Sequence, residues 1–291
     1  MSERYIPEEA REMSAEKPLW KGETPQRLRT ACEKAVKPFV KEMSVEGREH
    51  LAELPKDRRV IIVTSHFSNL DALEVINALG EDMNIQVTAM STHWEDVRKV
   101  LIAASGEESF SKISYRMENG KRVGEFSPWD YEDIAEVIQE TGKVPWVATE
   151  GVQVDKKKGM ARAGVGPAYL AETMDAVILP VAIVTEGPGA SVEGGIGTAK
   201  ALLGQIKVTV RIGASIEIPK VDTAPIKALF SRRLHEDDYE AALQDPAQRE
   251  GIRKQNREFS AATKELRGAA DVIGKAIAAL LPEEQRGYYK E

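Results

Sequence analysis

The chain is short of several things that mark whole functional classes. Cys32 is the only cysteine, which excludes an internal disulfide and any zinc site built on several thiolates. A solitary cysteine in a charged, helical stretch reads as inert rather than nucleophilic. No apolar run approaches the roughly 20 residues that a transmembrane helix needs. Residues 1–21 are charged and lack the apolar centre of a signal peptide. The expectation is a cytoplasmic protein; if it works on lipid, it must visit the membrane, as a peripheral and transient contact, rather than span it. Positive charge is not in surplus either. A formal net charge of −7 argues against coating nucleic acid, so no nucleic-acid partner is expected. His50, His93 and His235 show no ligand spacing with acidic partners, and no metal site is expected. No G-x-S-x-G elbow is present, which speaks against a serine hydrolase. Gly194-Gly195-Ile196-Gly197 lacks the spacing of a phosphate or dinucleotide loop and reads as an ordinary loop.

What is present is the patterning of an α/β protein. Hydrophobic residues make up 42% and charged residues 30%, enough for one large or two small globular domains. Val- and Ile-rich segments bounded by turn residues predict strands over 59–64, 85–90, 144–148, 177–183 and 206–212. Helices are predicted between them, over 70–79, 94–104, 130–141 and 162–174. This alternation implies a largely parallel central sheet flanked by helices. Ahead of it, residues 1–25 read as an extended arm with Pro7, Pro18 and Pro25. Leu28, Cys32, Val36, Val40 and Met43 recur at helical spacing from Pro25 to Leu54, with Pro38 a break or kink. After Pro219 the chain turns helical again. Phe259, Thr263, Leu266, Ala270, Ile273, Ile277 and Leu280 form one stripe of a long amphipathic helix. That stripe suits packing on the sheet; a membrane-surface or dimer role is the sharper alternative, although its polar face is not especially basic. The reading divides the chain into an N-terminal arm and helix (1–56), an α/β domain (57–222) and a helical region packed on it (223–291).

Three polar turns could carry chemistry. The first is Thr64-Ser65-His66-Phe67-Ser68-Asn69-Leu70-Asp71, which follows the apolar run Val60–Val63. If Ser68 or Asn69 caps the next helix, Asp71 falls in its first turn and its carboxylate can reach one ring nitrogen of His66. The other nitrogen is then free to take a proton from an alcohol. Taken alone, His66 also suits a structural turn, and Asp71 an acid favoured by the helix dipole. The second is Thr149-Glu150-Gly151, followed by Lys156, Lys157, Lys158 and Arg162. In a parallel sheet this turn and the His66 turn face one crevice. Backbone N–H groups near Gly151 and the lysines suit a phosphate, or else form a solvated basic loop. The third is Ile113-Ser114-Tyr115-Arg116, whose Arg can serve as an anion clamp or sit idle at the surface. Pro180, inside the apolar run Val177–Ile183, signals an edge, an irregularity or a shaped wall.

These segments, in this order, resemble the glycerolipid acyltransferases, the 1-acylglycerol-3-phosphate acyltransferase-like family. Ser65–Asp71 resembles its H-x-x-x-x-D motif, and Thr149-Glu150-Gly151 the start of its Pro-Glu-Gly-Thr-Arg motif. Gly166–Ala171 resembles a Gly-x-x-x-Leu-Ala helix, Leu179-Pro180-Val181-Ala182 a final Val-Pro-Val motif, and Ile113–Arg116 the second motif. The likeness spans roughly residues 58–185. One H-x-x-x-x-D is common by chance; several such motifs in order are not. The resemblance implies transfer of a fatty acyl group from acyl-CoA or acyl carrier protein to a glycerolipid hydroxyl. Lysophosphatidate or glycerol 3-phosphate would be the acceptor, and no cofactor beyond the thioester co-substrate is needed. His66 would be the general base and Asp71 its orienter. Arg116, Glu150 and Gly151 would bind the acceptor, with Asn69 and Lys158 completing the substrate-binding set. The chain departs from the family at Thr149, where Pro is usual, and at Val152 and Gln153, where Thr and Arg are usual. The missing guanidinium puts the acceptor in question and motivates a second reading, a non-catalytic lipid- or acyl-binding protein on the same scaffold. Lys156, Lys157, Lys158 or Arg162 are the candidate replacements.

Overall fold

A computed structural model describes residues 18–68, 70–90, 110–113, 115–118, 121–124, 126–150, 158–187, 206–230 and 245–290. The expected helix over 94–104 and the Gly194–Gly197 loop lie outside them. The centre is a seven-stranded sheet: β1 (Val40–Glu46), β2 (Arg59–Thr64), β3 (Ile85–Met90), β4 (Phe110–Ile113), β7 (Val144–Ala148), β8 (Ala176–Glu186) and β9 (Ile206–Ile212). A separate antiparallel hairpin pairs β5 (Tyr115–Glu118) with β6 (Lys121–Gly124). The strand order across the main sheet is β1-β9-β8-β2-β7-β3-β4. Every neighbouring pair is parallel except β8 with β9. The expected α/β architecture with a largely parallel sheet is therefore present.

Helices cover both faces, which is why the central strands are apolar throughout. On one face Val60 and Ile62 of β2 pack with Leu28 and Cys32 of α1 (Gln26–Val36) and Ile76 of α2 (Asp71–Leu79). On the other, Ile61 and Val63 join α3 (Pro128–Thr141), α4 (Gly166–Met174) and α7 (Lys264–Leu280). The alternation along β2 is the period-two rule of a strand with two buried faces. Two shorter-range helices, α5 (Ala224–Phe230) and α6 (Pro246–Ala262), complete the C-terminal layer. Burial lifts the Cys32 thiol to a pKa of about 12, which suits an inert core residue.

Strands β4, β5 and β6 add to the five strands predicted, and two predicted helices differ from the sequence reading. The helix expected from Pro25 to Leu54 stops at Val36, two residues before Pro38, which has no N–H to continue it. Val40 and Met43 instead lie on β1, an edge strand parallel to β9. The long C-terminal helix is divided at Thr263, whose hydroxyl bonds back to the carbonyl oxygens of Phe259 (3.0 Å) and Ser260 (3.2 Å). Beyond the break, Leu266, Ala270, Ile273 and Ile277 are buried against the sheet domain. Pro180 lies in the interior of the sheet, on β8 between β2 and β9. It sits at an irregularity: the pairing slips by one residue between Val181–Ile212 and the Ile178–Ile216 bridge. A proline is tolerated there because the ladder is already broken. Among the described residues no helix is long and apolar enough to cross a membrane.

The first turn of α4 lies against α3 so closely that a side chain at Gly166 would land on the ring and hydroxyl of buried Tyr131. Gly166→Ala should therefore lower the urea midpoint, by about 1–3 kcal/mol in stability. An unchanged midpoint would mean that the α3–α4 contact is looser than described.

Candidate active site

The parallel strands β8, β2, β7, β3 and β4 end at one edge of the sheet. Registry pairs Thr64 with Ala148, the last residues of β2 and β7. The two polar turns that follow therefore leave the sheet side by side. The Thr149 N–H extends the ladder by donating to Thr64 O at 2.8 Å.

His66 is 16% exposed at its side chain, and Asp71 opens α2 almost fully buried. Asp71 Oδ2 accepts three hydrogen bonds: from His66 Nδ1 (3.0 Å), from the Phe67 N–H (2.9 Å) and from the Ser68 N–H (2.9 Å). The carboxylate is thereby fixed at the helix start, where the dipole also favours it. An ionised carboxylate only accepts, so the proton between the pair belongs on His66 Nδ1. This leaves Nε2 as a lone-pair base, and no described residue bonds to it. The imidazole meets Trp146 of β7 edge-on, with ring centroids 6.3 Å apart.

Glu150 approaches His66 from the neighbouring turn. Its Oε2 accepts the His66 backbone N–H (3.1 Å) and the Thr149 hydroxyl (2.6 Å). Its Oε1 is buried and has no partner among the described residues. Burial pushes the Glu150 carboxyl up to about 7, against the pull of the Thr149 hydroxyl, the His66 N–H and any His66 charge. Burial acts in the opposite sense on His66 and would lower its pKa. The bond to Asp71, with the negative charges of Asp71 and Glu150, outweighs burial and holds it above 6.5.

The remaining expected residues are placed as follows. Arg116 lies on β5, directly after β4, so its backbone leaves from the same edge of the sheet as His66. Lys158 is exposed just ahead of Gly159. Asn69, Gly151, Val152, Gln153, Lys156 and Lys157 lie outside the described residues. Arg162 is engaged elsewhere: its Nε and Nη2 grip Asp271 of α7 at 3.0 and 2.6 Å, and its guanidinium lies over Tyr288. Two residues near the base had no role assigned from sequence. Trp146 falls in the strand predicted over 144–148, and Thr149 in the second polar turn, where it also departs from the motif. Among the described residues, no three His, Cys, Asp or Glu side chains gather to hold a metal ion.

No protein-family model and no curated protein sequence matches this chain. Among solved structures it is similar to the 1-acyl-sn-glycerophosphate acyltransferase PlsC from Thermotoga maritima. The two are 17% identical over 79% of each chain, with a TM-score of 0.42.

The Glu150 carboxyl binds its proton more tightly in the fold than in the unfolded chain. Its contribution to stability is thus full below pH 4.5 and is lost as pH rises through about 7. Glu150→Gln keeps an acceptor for both donors and removes that loss. Between pH 5 and pH 8 the variant should gain on the wild type by on the order of 2 kcal/mol in chemical denaturation. A stability gap that stays constant with pH would show that Glu150 is ionised without penalty.

Proposed function

We propose that this chain is an acyltransferase that moves a fatty acyl group from a thioester to a glycerolipid hydroxyl. The donor is acyl-CoA or acyl carrier protein, and the acceptor is a lysophosphatidate- or glycerol 3-phosphate-like alcohol. The observation that carries the reading is the His66–Asp71 pair. Asp71 is held by two backbone N–H groups and one imidazole, so that in the neutral ring Nδ1 carries the proton and Nε2 the lone pair. The ordered motif resemblance around Arg116, Glu150 and Pro180 supports the choice of acyl transfer over other base-catalysed chemistry.

The step needs little else. His66 Nε2 takes the proton as the acceptor oxygen attacks the thioester carbonyl. The new C–O bond forms, the C–S bond breaks, and the imidazolium returns its proton to the departing thiolate. Asp71 stabilises the imidazolium while it lasts and fixes the tautomer that starts the cycle. A thioester is already activated, so no enzyme-bound acyl group is required. Acceptor binding is proposed for Arg116, Glu150, Gly151, Asn69 and Lys158, in contact with a membrane surface when the acceptor is a lipid.

His66→Ala should reduce acyl transfer by about 10²–10⁴-fold with its circular dichroism unchanged. The assay is mass spectrometry of products from a panel of acyl acceptors. Because the base must be neutral, kcat/KM in the wild type should fall as pH drops through a value above 6.5. Asp71→Asn should move that limb to lower pH and cut the rate at its plateau. Normal turnover by folded His66→Ala sinks the mechanism. Wild-type protein that binds acyl-CoA and acylates nothing favours the binding-protein reading instead.

A further inference from the structure

Glu150 belongs to the turn that the motif resemblance assigns to the acceptor, yet its Oε2 is filled by the chain itself. It accepts the backbone N–H of His66 at 3.1 Å. A backbone N–H is a fixed point, so Glu150 holds the Cα end of His66 while Asp71 holds the ring at Nδ1. The imidazole is pinned from both ends.

What keeps Glu150 in that position is Thr149. The Thr149 side chain is buried, 1% exposed, and ties three segments together. Its N–H donates to Thr64 O (2.8 Å), and its carbonyl oxygen accepts the Gly164 N–H (2.7 Å). Its hydroxyl reaches Glu150 Oε2 at 2.6 Å and Thr64 O at 3.1 Å. A hydroxyl has a single hydrogen, and the shorter, charge-assisted contact is the stronger place for it. Thr64 O is in any case satisfied by the Thr149 N–H. Without the hydroxyl, Oε2 of a buried carboxylate would keep one donor, and Oε1 has no described partner. Such a carboxylate takes a proton or rotates, and either change loosens its grip on His66.

We propose that Thr149 is a positioning residue for the general base, its hydroxyl holding Glu150 against the His66 N–H and so fixing the height and angle of the imidazole. This rests on His66 being the base. Proline, usual at this position in the family the motifs resemble, has no hydroxyl to offer. Thr149 is thus a feature of this chain rather than of the motif. The charged groups that face His66 among the described residues are Asp71, from the first turn of α2, and Glu150, from the turn after β7. Loss of the Thr149 hydroxyl favours neutral Glu150, removes negative charge from beside His66, and moves the imidazole titration to lower pH.

The test separates the hydroxyl from the volume of the side chain. Thr149→Val keeps the shape and loses the donor; Thr149→Ser keeps the donor and loses a methyl group. The brace predicts that Thr149→Val lowers kcat about 10–100-fold with KM for the acyl donor within about two-fold. It predicts that Thr149→Ser stays within about three-fold of the wild type. NMR titration of the His66 imidazole should move to lower pH in Thr149→Val and stay in place in Thr149→Ser. That readout needs no turnover, so it judges the brace even if the acyl-transfer reading fails. Wild-type rates and titration in Thr149→Val, or equal losses in both variants, would overturn the proposal. Thr149→Ala is a second hydroxyl-free variant should Thr149→Val not fold, and is read in the same way.

Discussion

The pairing of β2 with β7 is the constraint from which the site follows. These strands run parallel and place Thr64 beside Ala148, so the two turns that carry polar side chains begin at the same height. Parallel strands also send every turn to the same edge, and the helices that begin there point their N-termini at it. Asp71 uses this directly, because the start of α2 supplies a favourable potential and the two preceding N–H groups. A slip of one residue between β2 and β7 would turn the alternating side chains of either strand to the wrong face. It would also part Glu150 from the His66 N–H.

The same burial that sets the geometry sets the electrostatics. Asp71, Glu150 and His66 share a poorly hydrated space, where each charge changes the cost of the next. The pair His66–Asp71 is well compensated: the carboxylate has three donors and the imidazole one strong acceptor. Glu150 is less well served, with both donors on one oxygen, and burial pushes it up to about 7. An arrangement of this kind separates the groups by role. One carboxylate supports the imidazolium through Nδ1, while the second acts mainly as a structural acceptor whose charge varies near neutral pH. Both keep the imidazole basic, so the pH at which His66 loses its proton reports on the whole cluster rather than on one residue.

What could be read from the sequence followed the range of the interaction. The strands buried on both faces were legible because an apolar run bounded by turns needs no partner to be recognised. The His66–Asp71 contact was legible too, since both residues belong to one strand–turn–helix unit. Strand β1 was not. Val40 and Met43 lie three apart and mimic a helical stripe, while the β9 partner that makes the segment a strand lies much later in the chain. The contact of Glu150 with His66 spans 84 residues and depends on strand register, which no local pattern records. Thr149 was visible as a member of a polar turn and as a deviation from a motif; its use emerges from the carboxylate it touches. The division at Thr263, whose hydroxyl and N–H both bond Phe259 O, is a local feature of which a hydrophobic stripe gives no sign.

The cation that would replace the missing guanidinium is narrowed by the same contacts. Arg162 is the best-shaped candidate by chemistry, because a guanidinium can grip a phosphate with two parallel bonds. It is already spent in that way on Asp271, and its other face covers Tyr288. The surrounding chain is locked as well. Met160 exchanges backbone hydrogen bonds with Gln285 and Tyr288, both 2.8 Å, and the Tyr289 hydroxyl accepts the Ala163 N–H. Freeing Arg162 for a ligand would break an ion pair and leave Asp271 with one fewer partner. The C-terminal turns thus act as a clamp on the strand–helix connection that returns from the site toward α4. Lys158 lies exposed at the near side of the clamp. Across the intervening β7 and β3, the exits of β2 and β4 lie about 14 Å apart at ordinary strand spacing. Under the proposed acyl-transfer reading, an acceptor hydroxyl at His66 lies nearer the end of β7 than the exit of β4.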